Sequence, residues 1–213
     1  MKFILLDTET ANDLDCPLVY DFGFAVIDEN ATVYENFSFV IADIFLNKEL
    51  MKSAYFADKI PMYKKELREG KRTLARYNTV RKILRYIMRK YNIHTVIAHN
   101  VRFDYIASQT TQRYLTKSKW RWFFPFGTDF VCTLKMAREV FSQDKNYIDF
   151  CKANNFTCKN GTPRLTAEVL YRYITQDIDF TESHTGLEDV MIEKEIFKWC
   201  ILKGCKIEDG YLW

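Results

Sequence analysis

The chain has 213 residues, 48% of them hydrophobic and 28% charged, with a formal net charge of +3. That length suits one domain over residues 1–213, and the composition excludes a disordered or collagen-like chain. No apolar run approaches the roughly 20 residues that span a bilayer. Lys2-Phe3-Ile4-Leu5-Leu6 runs directly into Asp7, so neither a membrane protein nor a signal peptide is expected, and the expected location is cytoplasmic.

In chain order, Phe3 to Leu6 has the length of a short buried strand. Tyr20 to Ile27 predicts a second, with Phe22, Phe24 and Val26 on one face. Asp28-Glu29-Asn30 reads as a turn into a third strand, Thr32 to Ile41, completing an antiparallel meander. Asn47 to Met62 is irregular or weakly helical. Leu74, Tyr77, Val80, Leu84, Ile87, Met88 and Tyr91 then recur at helical spacing, with Lys71, Arg72, Arg81, Lys82, Arg85 and Arg89 on the other faces. Thr95 to Ala98 is a strand, Asp104 to Tyr114 a helix, and Asp129 to Thr133 a strand followed by a helix to Phe141. Leu165 to Tyr173 is helical, and Leu187, Val190, Met191, Phe197, Cys200 and Ile201 mark an amphipathic C-terminal helix. This order predicts an α/β fold: a mixed five-stranded sheet, antiparallel meander plus parallel strands, flanked by helices. Ligands sit at strand ends in such sheets.

Charge is unevenly spread. Lys64 to Lys90 holds eleven Lys/Arg and two Glu, the footprint of a phosphate-binding face; the basic helix Lys71 to Lys90 reads equally as a solvated helix face, and a second partner surface is compatible with it. Trp120-Arg121-Trp122-Phe123-Phe124-Pro125-Phe126 is the other unusual stretch. At least half of its rings are expected in the core, with Trp120 or Trp122 the better candidates for stacking on unpaired bases. The six cysteines include no CxxC pair, which argues against zinc and for reduced thiols.

Three segments carry acids. Asp7-Thr8-Glu9-Thr10 follows the first strand immediately, and side chains alternate faces along a strand, so Asp7 and Glu9 point the same way about 7 Å apart. Carboxylates that close repel unless a cation lies between them, and oxygen-only ligation suits Mg²⁺ or Mn²⁺. Asp104 closes the segment His99-Asn100-Val101-Arg102-Phe103-Asp104, and His184 and Asp189 flank the start of the last helix. Each segment alone has an ordinary reading: a solvated strand end, a helix-initiating Asp, acids favoured at a helix N-terminus.

Together, in this order, they resemble the three exonuclease motifs of the DnaQ-like (DEDD) superfamily, in the branch with histidine in the third motif (DEDDh). DTET stands at Asp7 to Thr10, HNVRFD at His99 to Asp104, and His184 precedes Asp189 by five positions. The resemblance implies a ribonuclease H-like fold and a 3′→5′ exonuclease with two metal ions, Mg²⁺ or Mn²⁺. Its substrate would be single-stranded DNA or RNA with a free 3′ end, and a polymerase or other protein partner is compatible with it. Asp7 would bridge both metals, Glu9 and Asp189 would hold the one carrying the attacking water, and Asp104 would support the other. His184 would be the general base. Thr8, Thr10, Ala11, Asn100 and Phe103 are the expected substrate-binding positions. The chain departs from the family pattern at Ala11-Asn12, where Gly is common, and at Cys132-Thr133-Leu134, where Asp-Thr-Leu is common. The alternative is a non-catalytic nucleic-acid- or protein-binding module that retains the fold; the filled acidic set argues against it.

Overall fold

Strand β1 (Lys2–Ala11) shows how the sheet is built. Ile4 and Leu6 enter one hydrophobic core, while Phe3 and Leu5 enter a second on the opposite face. A strand covered on both faces needs a continuous apolar run, which is what precedes Asp7. The computed structural model describes residues 1–212.

β1 pairs antiparallel with β2 (Leu18–Asp28), and β2 pairs antiparallel with β3 (Val33–Ile41). On the other side β1 pairs parallel with β5 (Thr95–Ala98), which pairs parallel with β6 (Asp129–Cys132). The expected meander and parallel strands are therefore present. The sheet has six strands, however, in the order β4-β3-β2-β1-β5-β6. The addition is β4 (Thr73–Ala75), parallel to the end of β3. Leu74 stands three positions before Tyr77, so it fits the helical period although it pairs as strand and is 44% exposed.

Between β3 and β4 the chain forms α1 (Ala42–Phe45), α2 (Lys48–Met51) and α3 (Ile60–Arg68). Helix α4 (Tyr77–Lys90) follows β4 and buries Tyr77, Val80, Leu84, Ile87 and Met88 in the first core. α5 (Val101–Thr116) follows β5 and begins at Val101 rather than Asp104, with Asn100 in the left-handed conformation as its cap. α6 (Thr133–Phe141), α8 (Ala167–Thr175) and α9 (Gly186–Leu202) cover the second core. α7 (Lys145–Ala153), not foreseen from the sequence, starts at Asp144, whose carboxylate accepts the Asn146 and Tyr147 N–H groups.

The start of α9 lies directly on β2. A Cβ on Gly23 would stand 2.2 Å from the Gly186 carbonyl carbon, so backbone meets backbone only because both residues lack side chains. Among the described residues no helix is long and apolar enough to cross a membrane.

Candidate active site

At the C-terminal end of β1 the chain opens into a cleft of about 1010 Å³. Asp7, Glu9, Asp104, His184 and Asp189 all line it, together with Thr8, Asn100 and Phe103. β1 supplies the first two acids, the first turn of α5 supplies Asp104, and the first turn of α9 supplies Asp189. Ala11 is fully buried in the first core and Thr10 is outside this lining. A bulge between Glu9 and Thr10 resets the register there, so these two expected substrate contacts are not part of the cleft.

Thr8 faces α5 and donates a 2.8 Å hydrogen bond to Asp104 Oδ1. Asp189 Oδ2 accepts the Thr185 N–H at 2.9 Å, and Ser183 donates to Oδ1 at 3.3 Å. Glu9, His184 and Asp189 each offer a ligand atom, all within 4.8 Å of one another. Asp7 Oδ2 is buried with no hydrogen-bond partner, an arrangement a carboxylate keeps only with compensation from elsewhere.

Electrostatics tell the same story. Burial, then Asp104 and Glu193, hold the Asp7 carboxyl well above the carboxylate range. Burial and Asp189 push Glu9 up to about 9. Burial and Glu182 push Asp189 up to about 8, and burial pushes Asp104 up to about 7 against the Thr8 hydrogen bond. Without a cation these acids repel one another, and a multivalent cation removes the conflict.

Sequence reasoning missed Glu193. It sits one helical turn after Asp189, so the two share a face of α9. It is 3% exposed, lines the cleft, and accepts the His99 N–H through Oε2 at 3.1 Å. Burial, then Asp104, hold its carboxyl well above the ordinary value. A carboxylate at a core-facing position of α9 was the available signal. His99 itself is structural: its ring is bound by Thr133 Oγ1 at 3.0 Å and the Leu165 carbonyl at 2.8 Å, and burial lowers it to about 4.

His184 takes a left-handed backbone, φ 48°. Its ring stacks on Phe56, and its Nδ1 is 3.7 Å from Glu182 Oε2. Lys59 holds the loop by donating to the Ser183 and His184 carbonyls, with its ammonium 4.3 Å above the Phe56 ring. Burial, then the Lys59 charge, lower the His184 pKa below the usual imidazole value, so the ring is neutral at pH 7. Phe56 and Lys59 come from the segment that reads as irregular, where periodicity carries no information.

A second missed feature fixes the third acidic segment. Arg72 is 5% exposed rather than on a solvated helix face. Its guanidinium donates to Asp21 at 3.0 Å, Ser38 at 3.0 Å, Glu66 at 2.6 Å and Glu188 at 2.7 Å. Asp21 also accepts the Gly186 N–H at 2.9 Å and the Tyr63 hydroxyl at 2.6 Å. β2, α3 and the start of α9 are thereby locked together beside Asp189.

No family model matches the sequence, and no curated protein matches it. Similar solved structures include two exonucleases. One is E. coli exonuclease I in complex with a dA16 oligonucleotide, at TM-score 0.53 and 15% identity, over 92% of this chain and 40% of that one. The other is exonuclease X in complex with 5′ overhanging duplex DNA, at TM-score 0.45 and 14% identity, over 98% of this chain and 96% of that one. This chain thus spans less than half of the exonuclease I chain. The likeness to exonuclease I is one of fold, in keeping with the ribonuclease H-like α/β arrangement.

Proposed function

We propose that the chain is a metal-dependent 3′→5′ exonuclease of the DnaQ-like, DEDDh kind, acting as one catalytic domain. The observation that carries this reading is the convergence of Asp7, Glu9, Asp104 and Asp189 with His184 in one cleft. The orphaned Asp7 Oδ2 and the mutual repulsion of the acids fit a divalent-cation site. An all-carboxylate set suits Mg²⁺ or Mn²⁺. Asp7, Glu9 and Asp189 would hold the ions, with Asp104 supporting them. When bound, a pair of such ions stabilises the attacking and leaving oxygens of displacement at phosphorus.

The chain's own groups do the rest. His184, neutral and held by Phe56 and Lys59, accepts the proton of the attacking water. Thr8 orients Asp104, and the Thr185 N–H orients Asp189. Asn100 and Phe103 line the seat of the terminal nucleotide. The fold shared with exonuclease I, which was solved with a dA16 oligonucleotide, supports a single-stranded substrate with a free 3′ end.

The test is the purified chain with Mg²⁺ or Mn²⁺ on 5′-labelled single-stranded DNA and RNA in parallel, with EDTA and Asp7→Ala controls. The expected result is a ladder shortening from the 3′ end, absent in both controls. Tight binding of the strand without cleavage would instead assign a non-catalytic binding module.

A further inference from the structure

We infer that the loop 118–128, with the adjoining faces of α4 and α5, is a second contact surface for single-stranded nucleic acid, outside the lining of the acidic cleft. The identity of the polyanion rests on the exonuclease reading; the surface itself does not.

Charge is the first argument. From Gly70 to Thr128 the chain has thirteen Lys/Arg and one acid, Asp104, which faces the cleft. Lys71, Arg72 and Lys90 are matched by Glu69, by Asp21 with Glu66 and Glu188, and by Glu35. The other ten cations have no carboxylate partner among the described residues. They crowd one another: burial and Arg121 lower the Arg81 pKa, and burial, Arg81 and Arg89 lower that of Arg85. Such a field attracts a polyanion.

The loop itself is the second argument, because it is anchored. Arg81 donates to the Trp122 carbonyl at 2.9 Å, and Arg85 donates to Trp122, Phe123 and Phe124 carbonyls at 2.9, 2.9 and 2.7 Å. Gln109 binds both the Arg121 carbonyl and the Phe123 N–H. Phe123 is fully buried and stacks on Tyr77. Packing therefore accounts for Phe123 and Phe124 but not for their neighbours. Trp120 is 77% exposed, Trp122 49% and Phe126 fully exposed. Arg113 lies over Trp122 and Lys119 over Trp120. Large aromatics held outward on a fixed backbone, the two tryptophans each beside a cation, make a stacking platform for unpaired bases, whose faces are hidden in a duplex. α5 carries Asp104 in its first turn, while Trp122 stands beside Arg113, nine positions further on and so about 13 Å away along the helix axis.

The test measures fluorescence anisotropy of labelled oligothymidylates in EDTA, where no cleavage occurs. It compares the natural chain with a Trp120→Ala/Trp122→Ala/Phe126→Ala variant, all exposed positions. Lengths of about 20 and about 4 nucleotides bracket the range from full coverage to cleft-only contact. The longer strand is expected to bind at least about tenfold more tightly than the shorter, and the variant to lose about tenfold on the longer strand alone. Hydrolysis of thymidine 5′-monophosphate p-nitrophenyl ester with Mn²⁺ should be unchanged in the variant. Equal binding by both proteins overturns the proposal, as does an equal loss at both lengths. Unchanged binding with altered oligomeric mass also overturns it, by giving the rings to a protein interface. If neither protein hydrolyses the ester but the length-dependent loss is seen, the exonuclease reading fails and this surface stands.

Discussion

The Phe56 ring lies parallel to the His184 imidazole, with 4.5 Å between centroids and 11° between planes. Such a pair is worth about 0.5–1.5 kcal/mol, the scale of a tenfold change in rate. Phe56→Ala should lower kcat about 3–10-fold and leave KM nearly unchanged, with Phe56→Tyr close to normal. Steady-state kinetics on a short oligonucleotide check this, and a defect confined to KM would contradict it.

Lys59 acts on the same ring by charge. Its ammonium disfavours the imidazolium and helps lower the His184 pKa. Removing it in Lys59→Met raises that pKa, so less of the neutral base is present at a given pH. The acid limb of the kcat profile should therefore move to higher pH than in the natural chain. A limb that stays put or moves down would exclude His184 as the titrating base.

The acidic cleft sets how stability responds to pH. Glu9, Asp189 and Asp104 have folded values raised to about 9, 8 and 7, above their unfolded ones. Between the ordinary carboxylate range and those values the native state holds protons that the unfolded state has lost. Stability in EDTA therefore falls as pH rises from about 4 through about 9. Mg²⁺ or Mn²⁺ should restore it, most strongly at the alkaline end. Glu193→Gln removes a buried carboxyl whose ionisation burial and Asp104 oppose, and can keep the acceptor for His99 N–H. It should raise the metal-free Tm at pH 8, at about 2–4 °C per kcal/mol relieved. Thermal denaturation with and without metal reads both effects; a metal-free Tm that climbs with pH would refute them.

Arg72 is the counter-charge for three acids at once. Breaking such a buried network from one side leaves uncompensated charge and costs about 3–5 kcal/mol. Arg72→Met should therefore lower Tm by about 6–20 °C. Arg81→Met, which removes one solvent-facing bond to the Trp122 carbonyl, should cost far less. Equal losses in the two variants would deny Arg72 its special place.

What the sequence revealed follows from what each residue's signal depends on. β5 was legible residue for residue, because Thr95 to Ala98 is buried on both faces and bounded by polar neighbours. That the four acids and His184 would meet in one cleft was expected from their ordered resemblance to three exonuclease motifs, since each segment alone reads as an ordinary strand or helix end. β4 was hidden because Leu74 falls in phase with α4. Glu193 was hidden because a single acid within an apolar helix carries no meaning until its neighbours are known. Phe56, Lys59 and Arg72 were hidden for a different reason: each acts across more than a hundred positions, on His184 or Glu188. Only the folded arrangement brings those partners together.

The most direct measurement is a Mn²⁺ titration at pH 8, followed by calorimetry and by electron paramagnetic resonance of the free ion. Saturable binding of two ions by the natural chain is expected, with a loss of at least tenfold in affinity for Asp7→Asn, even though that side chain keeps its shape. Failure of the natural chain to take up Mn²⁺, or identical uptake by Asp7→Asn, would contradict a two-ion site at Asp7.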